Sequence, residues 1–202
     1  MKRKTAKELL ADSFRELAAE KNIDKITVRD VVENCDYSTA TFYRHFKDKY
    51  DLIAWDYSRD IVRIIDQVGK NQASWQQALS DAAAYYESHK GYLQNLLLHT
   101  TGYDSFLRYM NEINHDSLKE RILLASGLNE LDEKTEMFIR GYCLGTVNLT
   151  CEWILGKYNV QRTFWWTSTK RRCPSPFISI SSENEMIRVY FLTMRKYKDI
   201  LN

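Results

Sequence analysis

The segment Thr27–Lys49, TVRDVVENCDYSTATFYRHFKDK, has the pattern of two short helices joined by a tight turn. Thr27 is a favourable N-cap, and the aspartate three positions later can complete a capping box. Valines at helical spacing follow, and we expect the first helix to end near Asn34, because Asn and Asp favour turns. Ser38 can cap a second helix over 39–46. The pattern therefore predicts a helix-turn-helix, whose second helix enters the major groove of DNA.

The second predicted helix carries two kinds of side chain. Phe42 and Phe46 lie one turn apart and are expected to pack inward. An aromatic core cluster is an alternative interpretation for the whole helix, but it fits Tyr43 and His45 poorly, because the charged Lys47-Asp48-Lys49 follows and indicates a solvated surface. The remaining hydroxyl, phenol and cationic groups suit the phosphates and base edges of duplex DNA. This helix is therefore the candidate DNA-reading element.

Residues 39–52, TATFYRHFKDKYDL, resemble the signature of the TetR family of bacterial transcriptional regulators. The resemblance implies phosphate contacts at Thr27, Tyr43 and Lys49, and places Ser38, Thr39, Thr41 and His45 at or near the groove. The full set of candidate DNA contacts is Thr27, Arg29, Ser38, Thr39, Thr41, Tyr43, His45 and Lys49. One departure from the family is Asn34-Cys35-Asp36, where a small residue and glycine are usual. Asn and Asp tolerate left-handed backbone, so the turn is still expected.

Composition agrees with a helical regulator without identifying one. Apolar residues make up 44% of the 202, and the 7 Gly and 2 Pro are few enough to favour helices. The net charge is +2; residues 1–50 hold 11 Lys/Arg against 9 Asp/Glu, and the rest of the chain balances. The basic arm Lys2-Arg3-Lys4 is the clearest cluster. DNA binding would therefore depend on the placement of individual groups rather than on bulk positive charge.

The sequence offers no pattern for catalysis, a cofactor or a metal. Four cysteines and four histidines are scattered without ligand spacing, and phosphate-binding or nucleophile motifs are missing. We therefore expect no enzyme, no cofactor and no metal. Cys143 and Cys151 are expected to be small core residues, with a thiol redox sensor as the alternative. Without a signal peptide or a membrane-length apolar run, we expect a cytoplasmic protein with no membrane partner.

The chain is predicted to be all-α and to divide into a helix-turn-helix domain, 1–47, and a helical effector-binding and dimerisation domain, 48–202. A first helix should begin at a Thr5/Glu8 capping box, with Ile23 and Ile26 plugging the base of the headpiece. Helices are then expected near 48–69, 74–90, 92–98, 103–124, 132–158 and 183–201. Residues 140–158, RGYCLGTVNLTCEWILGKY, resemble a TetR subgroup that includes dihydroxyacetone-kinase operon regulators.

A ligand pocket is predicted among the helices at 48–69, 74–90, 103–124 and 132–156. The candidate lining is rich in aromatic side chains, with two polar groups added: Trp55, Tyr85, Tyr86, His89, Tyr103, Tyr109, Asn148 and Trp153. Such a lining suits an apolar or amphipathic small molecule. The alternative is that these aromatics fill a solid core. The resemblance implies that helix 48–69 acts as the lever between pocket and headpiece.

The predicted function is that of a repressor which binds a palindromic double-stranded DNA operator as a homodimer and is released by a small-molecule effector. The dimer is expected to form through helices 132–156 and 183–201, because the first is apolar on two faces. Alternatives are an activator that works with a protein co-receptor and a helical protein–protein adaptor. Residues 159–182 break the helical pattern, and a surface loop, a lid over the pocket and an altered reading frame all remain open.

Overall fold

The structure is a computed structural model, and it describes residues 4–68, 75–102 and 105–161. Within these ranges the regular elements are helices: α1 (Ala6–Glu20), a 3-10 turn (Ile23–Lys25), α2 (Val28–Asn34), α3 (Thr39–His45), α4 (Lys49–Ile65), α5 (Trp75–Ser88), α6 (Lys90–His99), α7 (Phe106–Ser126) and α8 (Glu133–Ile154). The predicted all-α fold is confirmed. Among the described residues, no helix is both long and apolar enough to cross a membrane.

The headpiece consists of α1, α2 and α3 around a small apolar core. The Thr5 hydroxyl accepts the Glu8 amide, and the Glu8 carboxylate accepts the Thr5 amide, so the predicted capping box starts α1. Phe42 and Phe46 are buried as predicted. Ile23 and Ile26 flank or lie within the 3-10 turn between α1 and α2 and are fully buried, which confirms that they close the base of this core.

Helix α4 leads out of the headpiece into the C-terminal helices. Asp48 caps its start by accepting the Tyr50 and Asp51 amides. The sequence predicted a helix as far as Gly69; the α-helix ends at Ile65, turns continue through Val68, and Gly69 lies outside the described residues. Helix α4 packs against α7, α5 and α1, so it connects the headpiece with the C-terminal helices.

The C-terminal helices differ from the prediction mainly at their ends. The helix predicted over 74–90 and the segment predicted over 92–98 become α5 and α6, separated by a bend at His89. Helix α8 begins at the Asp132 cap, packs against α7 and buries Cys143 and Cys151, as predicted. Burial raises the pKa of both thiols to about 12, which disfavours the thiolate that redox chemistry needs. The predicted helix 183–201 and most of 159–182 lie outside the described residues.

A buried ionic cluster joins the headpiece to the C-terminal helices. Asp56 of α4 is fully buried and accepts hydrogen bonds from Arg15 of α1 (2.6 Å), from Arg59 (3.0 Å) and from the Tyr92 hydroxyl of α6 (3.3 Å). Arg15 also binds Asp60, with an N–O distance of 2.7 Å. Burial raises the pKa of the Asp56 carboxyl, and the Arg15 hydrogen bond opposes that rise. Three helices therefore meet at one carboxylate.

Helix α6 supplies a second connection to the headpiece. The Asn95 amide group donates to the Ala18 and Lys21 carbonyls at 2.8 Å, and its oxygen accepts the Ile23 amide at 3.1 Å. The neighbouring Gln94 donates to the Ile154 carbonyl at the end of α8. One turn of α6 therefore holds both the end of α1 and the end of α8.

Candidate nucleic-acid interface

The turn between α2 and α3 depends on one left-handed residue. Asp36 has φ of 56°, and Tyr37 donates its amide to the Val32 carbonyl to close the turn. A side chain at positive φ is strained, and Asp is among the residues that tolerate it best. The expectation that Asn34-Cys35-Asp36 can form the turn without glycine is therefore confirmed.

Helix α1 fixes the orientation of α2 through polar contacts. The Ser13 hydroxyl, which is buried, donates to the Val31 carbonyl at 2.7 Å. Asn34, the last residue of α2, donates to the Ser13 hydroxyl and to the Glu16 carboxylate. Two hydrogen-bonding residues in addition to the apolar core therefore hold the helix-turn-helix as one unit.

Helix α3 presents its polar side chains to solvent. Ser38 caps it by accepting the Thr41 amide at 3.1 Å, and the two hydroxyls lie 3.0 Å apart. Ser38 and Thr39 are exposed, and Thr41 is half-buried. Because Phe42 and Phe46 anchor the opposite face, the backbone of α3 is held while this face stays open to a partner.

Tyr43 is the most exposed aromatic residue of the described headpiece, with 59% of its surface accessible. Its ring packs edge-on against Phe42, with 5.5 Å between the centroids. A tyrosine whose ring packs against a buried phenylalanine and whose surface is open can donate its hydroxyl to a phosphate. His45, at the C-terminal end of α3, is half-buried. Arg29 lies on α2, is exposed, and forms an ion pair with Glu33 at 2.6 Å.

Thr27 and Lys49 have internal partners in this structure. Thr27 donates its hydroxyl to Asp30 at 2.7 Å and accepts the Asp30 amide, so it completes the predicted capping box. The Lys49 ammonium donates to three carbonyls in or directly after the 3-10 turn, those of Ile23, Asp24 and Ile26, at 2.9 to 3.3 Å. Burial lowers the pKa of Lys49. A role in holding the turn is therefore evident for Lys49, whereas its phosphate contact stays a prediction.

A cavity of about 50 Å³ lies among α4, α5, α7 and α8, the four helices from which a pocket was predicted. Its walls are mostly aliphatic, for example Ile61, Leu79 and Val147. The polar atoms come from Tyr86, Asn114, Tyr142, Thr146 and Thr150. Tyr86 and Asn114 both hydrogen-bond the buried Tyr57 hydroxyl, at 3.0 and 2.9 Å. No charged side chain of the described residues lines this cavity, which favours a neutral occupant.

Most of the residues predicted to line a pocket lie elsewhere. Tyr86 lines the cavity, whereas Trp55 packs on Phe46 at the headpiece junction, with 5.6 Å between ring centroids. Tyr85 is buried against the His89 ring, Trp153 is buried and donates its indole N–H to the Val160 carbonyl, and Asn148 is exposed on α8.

Tyr109 is half-buried on α7 and does not line the cavity, and Tyr103 lies outside the described residues. The polar residues at inward positions of α7 and α8, Asn114, Thr146 and Thr150, were missed because the sequence interpretation favoured aromatic side chains.

An apolar stripe runs along the outer face of α8. Met137 is 70% exposed and Phe138 is 58% exposed, and Leu144 is exposed further along the same face. Gly141 lies between Phe138 and Leu144, Gly145 follows Leu144, and a Cβ built on either glycine meets no atom of another element within 4 Å. The described residues therefore leave this face uncovered over about two and a half turns.

The headpiece and its exposed helix α3 have the arrangement of a helix-turn-helix, a motif that places its second helix in the major groove of DNA. Residues 10–54, which span most of the headpiece and the start of α4, match the family model described as bacterial regulatory proteins, tetR family. The N-terminal helix-turn-helix is therefore of the TetR type, as the resemblance in α3 implied.

The comparisons with individual proteins agree with this family. Over 98 residues the chain is 20% identical to the HTH-type dhaKLM operon transcriptional activator DhaS of Lactococcus lactis subsp. lactis (strain IL1403). That alignment covers 48% of this chain and 52% of the relative, so the chain spans about half the length of the curated relative that it matches.

Three solved structures share the fold. The dihydroxyacetone kinase operon activator DhaS has a TM-score of 0.59 at 15% identity, covering 82% of this chain and 92% of that chain. A TetR transcriptional regulator from Rhodococcus sp. RHA1 has a TM-score of 0.60 at 18% identity, with the same coverage. The TetR family repressor AlkX from Dietzia sp. strain DQ12-45-1b, implicated in biodegradation of n-alkanes, has a TM-score of 0.51 at 14% identity, covering 85% and 95%.

Proposed function

We propose that the protein is a cytoplasmic, sequence-specific repressor that binds a palindromic operator as a homodimer. The observation that carries the proposal is α3, whose polar face is open while Phe42 and Phe46 anchor its other side. A rigid helix with hydroxyl, phenol and guanidinium groups can enter a major groove and contact both phosphates and bases. Ser38, Thr39, Thr41, Tyr43 and His45 are the proposed contacts on or at this helix, with Thr27, Arg29 and Lys49 at its margins.

The exposed stripe on α8 supports the homodimer. Large apolar side chains on an accessible helix face usually mark a protein–protein interface. A two-fold axis beside α8 would bring the same stripe of a second copy against it, and glycines would permit close approach of the helices. Two headpieces related by that axis require two inverted half-sites, which is the reason for expecting a palindromic operator.

The DNA proposal is tested by selecting duplexes from a random pool with the full chain and measuring affinity by fluorescence anisotropy. We expect an inverted repeat to be enriched. Tyr43→Phe should weaken binding several-fold to selected and unselected duplexes alike, because a phosphate hydrogen bond contributes about 1 kcal/mol or slightly more and carries no sequence information. The salt dependence should stay unchanged, since no charge is removed.

Tyr158→Phe is the matched control, because Tyr158 is also an exposed tyrosine but lies beyond α8. It should leave operator affinity unchanged. Failure of the wild-type chain to enrich any duplex would contradict the proposed function. Equal affinities for wild type and Tyr43→Phe would remove Tyr43 from the contacts.

The cavity supports a small, neutral and largely apolar effector. Binding pockets for drug-sized ligands usually measure about 300 to 1,000 Å³, well above the roughly 50 Å³ seen here. An effector of more than a few heavy atoms would therefore have to move α4 and α8 apart. Helix α4 carries Asp56, which binds Arg15 of α1, so this movement would change the position of the headpiece. Ligand and operator would then favour different arrangements of the dimer.

Thermal-shift screening of neutral small molecules, followed by operator titration, tests this coupling. A compound that raises the melting temperature should also weaken operator binding. A compound that stabilises the protein and leaves operator affinity unchanged would contradict the coupling.

The alternative is an activator that responds to a protein co-receptor; it is favoured by the small cavity and by the fold shared with an operon activator. In that case, no small molecule should change operator affinity.

A further inference from the structure

The centre of the exposed face of α3 is occupied by Ala40 and Arg44. Successive residues of an α-helix are rotated by about 100°, so the residues two before and two after Phe42 lie nearly opposite its buried side chain. Ala40 and Arg44 hold these positions, one turn apart, and both are exposed. Tyr43 and Thr41 lie on the two flanks of the same face. Arg44 is therefore the long side chain that projects most directly away from the headpiece core.

Most other cations of the headpiece are engaged within the protein. Arg15 binds two aspartates, Lys49 binds three carbonyls, and Lys7 lies over the Phe46 and Trp55 rings. The remaining ion pairs are Lys4–Asp12, Lys21–Asp30, Lys25–Asp24 and Arg29–Glu33. Among headpiece cations in the described ranges, Arg44 and Lys47 are the two whose charged groups make no ion pair, hydrogen bond or ring contact. The free positive charge is thus concentrated at the end of α3.

We propose that Arg44 reads a guanine in each operator half-site and is a main determinant of specificity; this inference rests on the proposed function. A guanidinium can donate two parallel hydrogen bonds to guanine O6 and N7, which is the commonest base-specific contact in the major groove. The methyl side chain of Ala40, one turn earlier, leaves room for the helix to approach the groove floor. A guanidinium that has no internal partner loses no protein contact when it binds the base.

The expected contact assigns a distinct role to each neighbouring group. The Thr41 and Ser38 hydroxyls lie within hydrogen-bond distance of each other and can contact the bases next to that guanine. Tyr43 lies toward the side of the helix and suits a phosphate. Lys47 follows the helix and carries a mobile ammonium, which suits a phosphate as well. Removing Arg44 should therefore relax the sequence preference, while removing Lys47 should weaken binding to every duplex by a similar factor.

The test compares wild type, Arg44→Ala and Lys47→Ala on the operator selected with the full chain. Arg44→Ala should lower operator affinity by about 30-fold or more, because the losses at the two half-sites multiply, and should lower affinity for random duplex much less. The operator is then made with 7-deazaguanine at one symmetric pair of guanines at a time, which removes the N7 acceptor. At one such pair of positions, 7-deazaguanine should weaken operator binding by wild type and by Lys47→Ala but leave binding by Arg44→Ala unchanged.

Melting temperature and helix content should be the same for all three proteins, since both side chains are exposed and their charged groups form no internal ion pair or hydrogen bond. The inference is overturned if Arg44→Ala keeps wild-type operator affinity, or if it weakens binding to operator and random duplex equally. It is also overturned if every 7-deazaguanine pair that weakens wild-type binding weakens Arg44→Ala binding as well, or if the selected half-site lacks guanine. Each of these results still requires that the wild-type chain binds a selected operator, so they are distinct from failure of the proposed function.

Discussion

Asp56→Asn is expected to lower the free energy of unfolding by about 3 kcal/mol, because removing one partner of a buried ion pair leaves the other charges unsatisfied. Asp56 is fully buried and accepts from Arg15, Arg59 and Tyr92. An amide of the same shape keeps one oxygen but turns an NH2 group toward a donor. For a chain of this size the loss corresponds to roughly 6 to 12 °C in melting temperature. Calorimetry or denaturant unfolding would measure it.

Asp60→Asn provides the matched control for this variant. Asp60 binds the same Arg15 guanidinium at 2.7 Å, but its side chain is partly exposed, so water can replace the lost contact. Its replacement should cost about 1 kcal/mol or less. An Asp56→Asn protein that is no less stable than the Asp60→Asn protein would show that the cluster does not hold α1 on α4. Combining Asp56→Asn with Arg15→Met should recover part of the loss, since the pair is then removed together.

The helix starts were predictable from the sequence because they depend on local chemistry. Thr5, Thr27 and Ser38 each cap a helix through an amide three positions later, and such a contact depends only on residues that are close together in the sequence. The left-handed turn at Asp36 was anticipated for the same reason. The inward placement of Phe42 and Phe46 followed from their spacing. These features fixed the helix-turn-helix before any tertiary contact was considered.

The contacts of Lys49 and Asn95 could not be predicted, because their partners lie far away along the chain. Lys49 binds carbonyls of the turn that begins at Ile23, and Asn95 binds the end of α1. Backbone carbonyls leave no sequence signal, since every residue has one. The family resemblance indicated a phosphate contact for Lys49, and the internal role appears only when the 3-10 turn is placed against α4.

The pocket residues show a second reason why the sequence does not predict every part of a site. Periodicity identified the four helices around the cavity, but it did not settle how each helix is rotated. Trp55 points to the headpiece junction and Trp153 toward the turn after α8, so both large aromatics fill space outside the cavity. Thr146 and Thr150 occupy the inward side of α8 instead. Which aromatic residues fill a core and which line a void depends on the packing of all four helices together.

Gly145→Arg is expected to convert the proposed homodimer into a monomer and to reduce operator affinity by at least about 100-fold. In a dimer, binding of the first headpiece raises the effective concentration of the second headpiece at its half-site, and a monomer lacks this effect. Gly145 lies on the exposed stripe of α8, where a Cβ meets no atom within 4 Å. Arginine is also a better helix former than glycine by nearly 1 kcal/mol. The protomer should therefore fold normally, and the new charge should act on the interface alone.

Gly91→Arg is a control of the same chemistry, because Gly91 is also an exposed helical glycine with open space around its Cβ, but on α6. It should remain dimeric and bind the operator as wild type does. Sedimentation at micromolar concentration, helix content by circular dichroism and operator anisotropy would distinguish the variants. A Gly145→Arg protein that sediments as a dimer would place the interface elsewhere, and a wild-type monomer would contradict the proposed dimer. If Gly145→Arg is a monomer that keeps full operator affinity, a single headpiece is sufficient for binding, and the operator need not be palindromic.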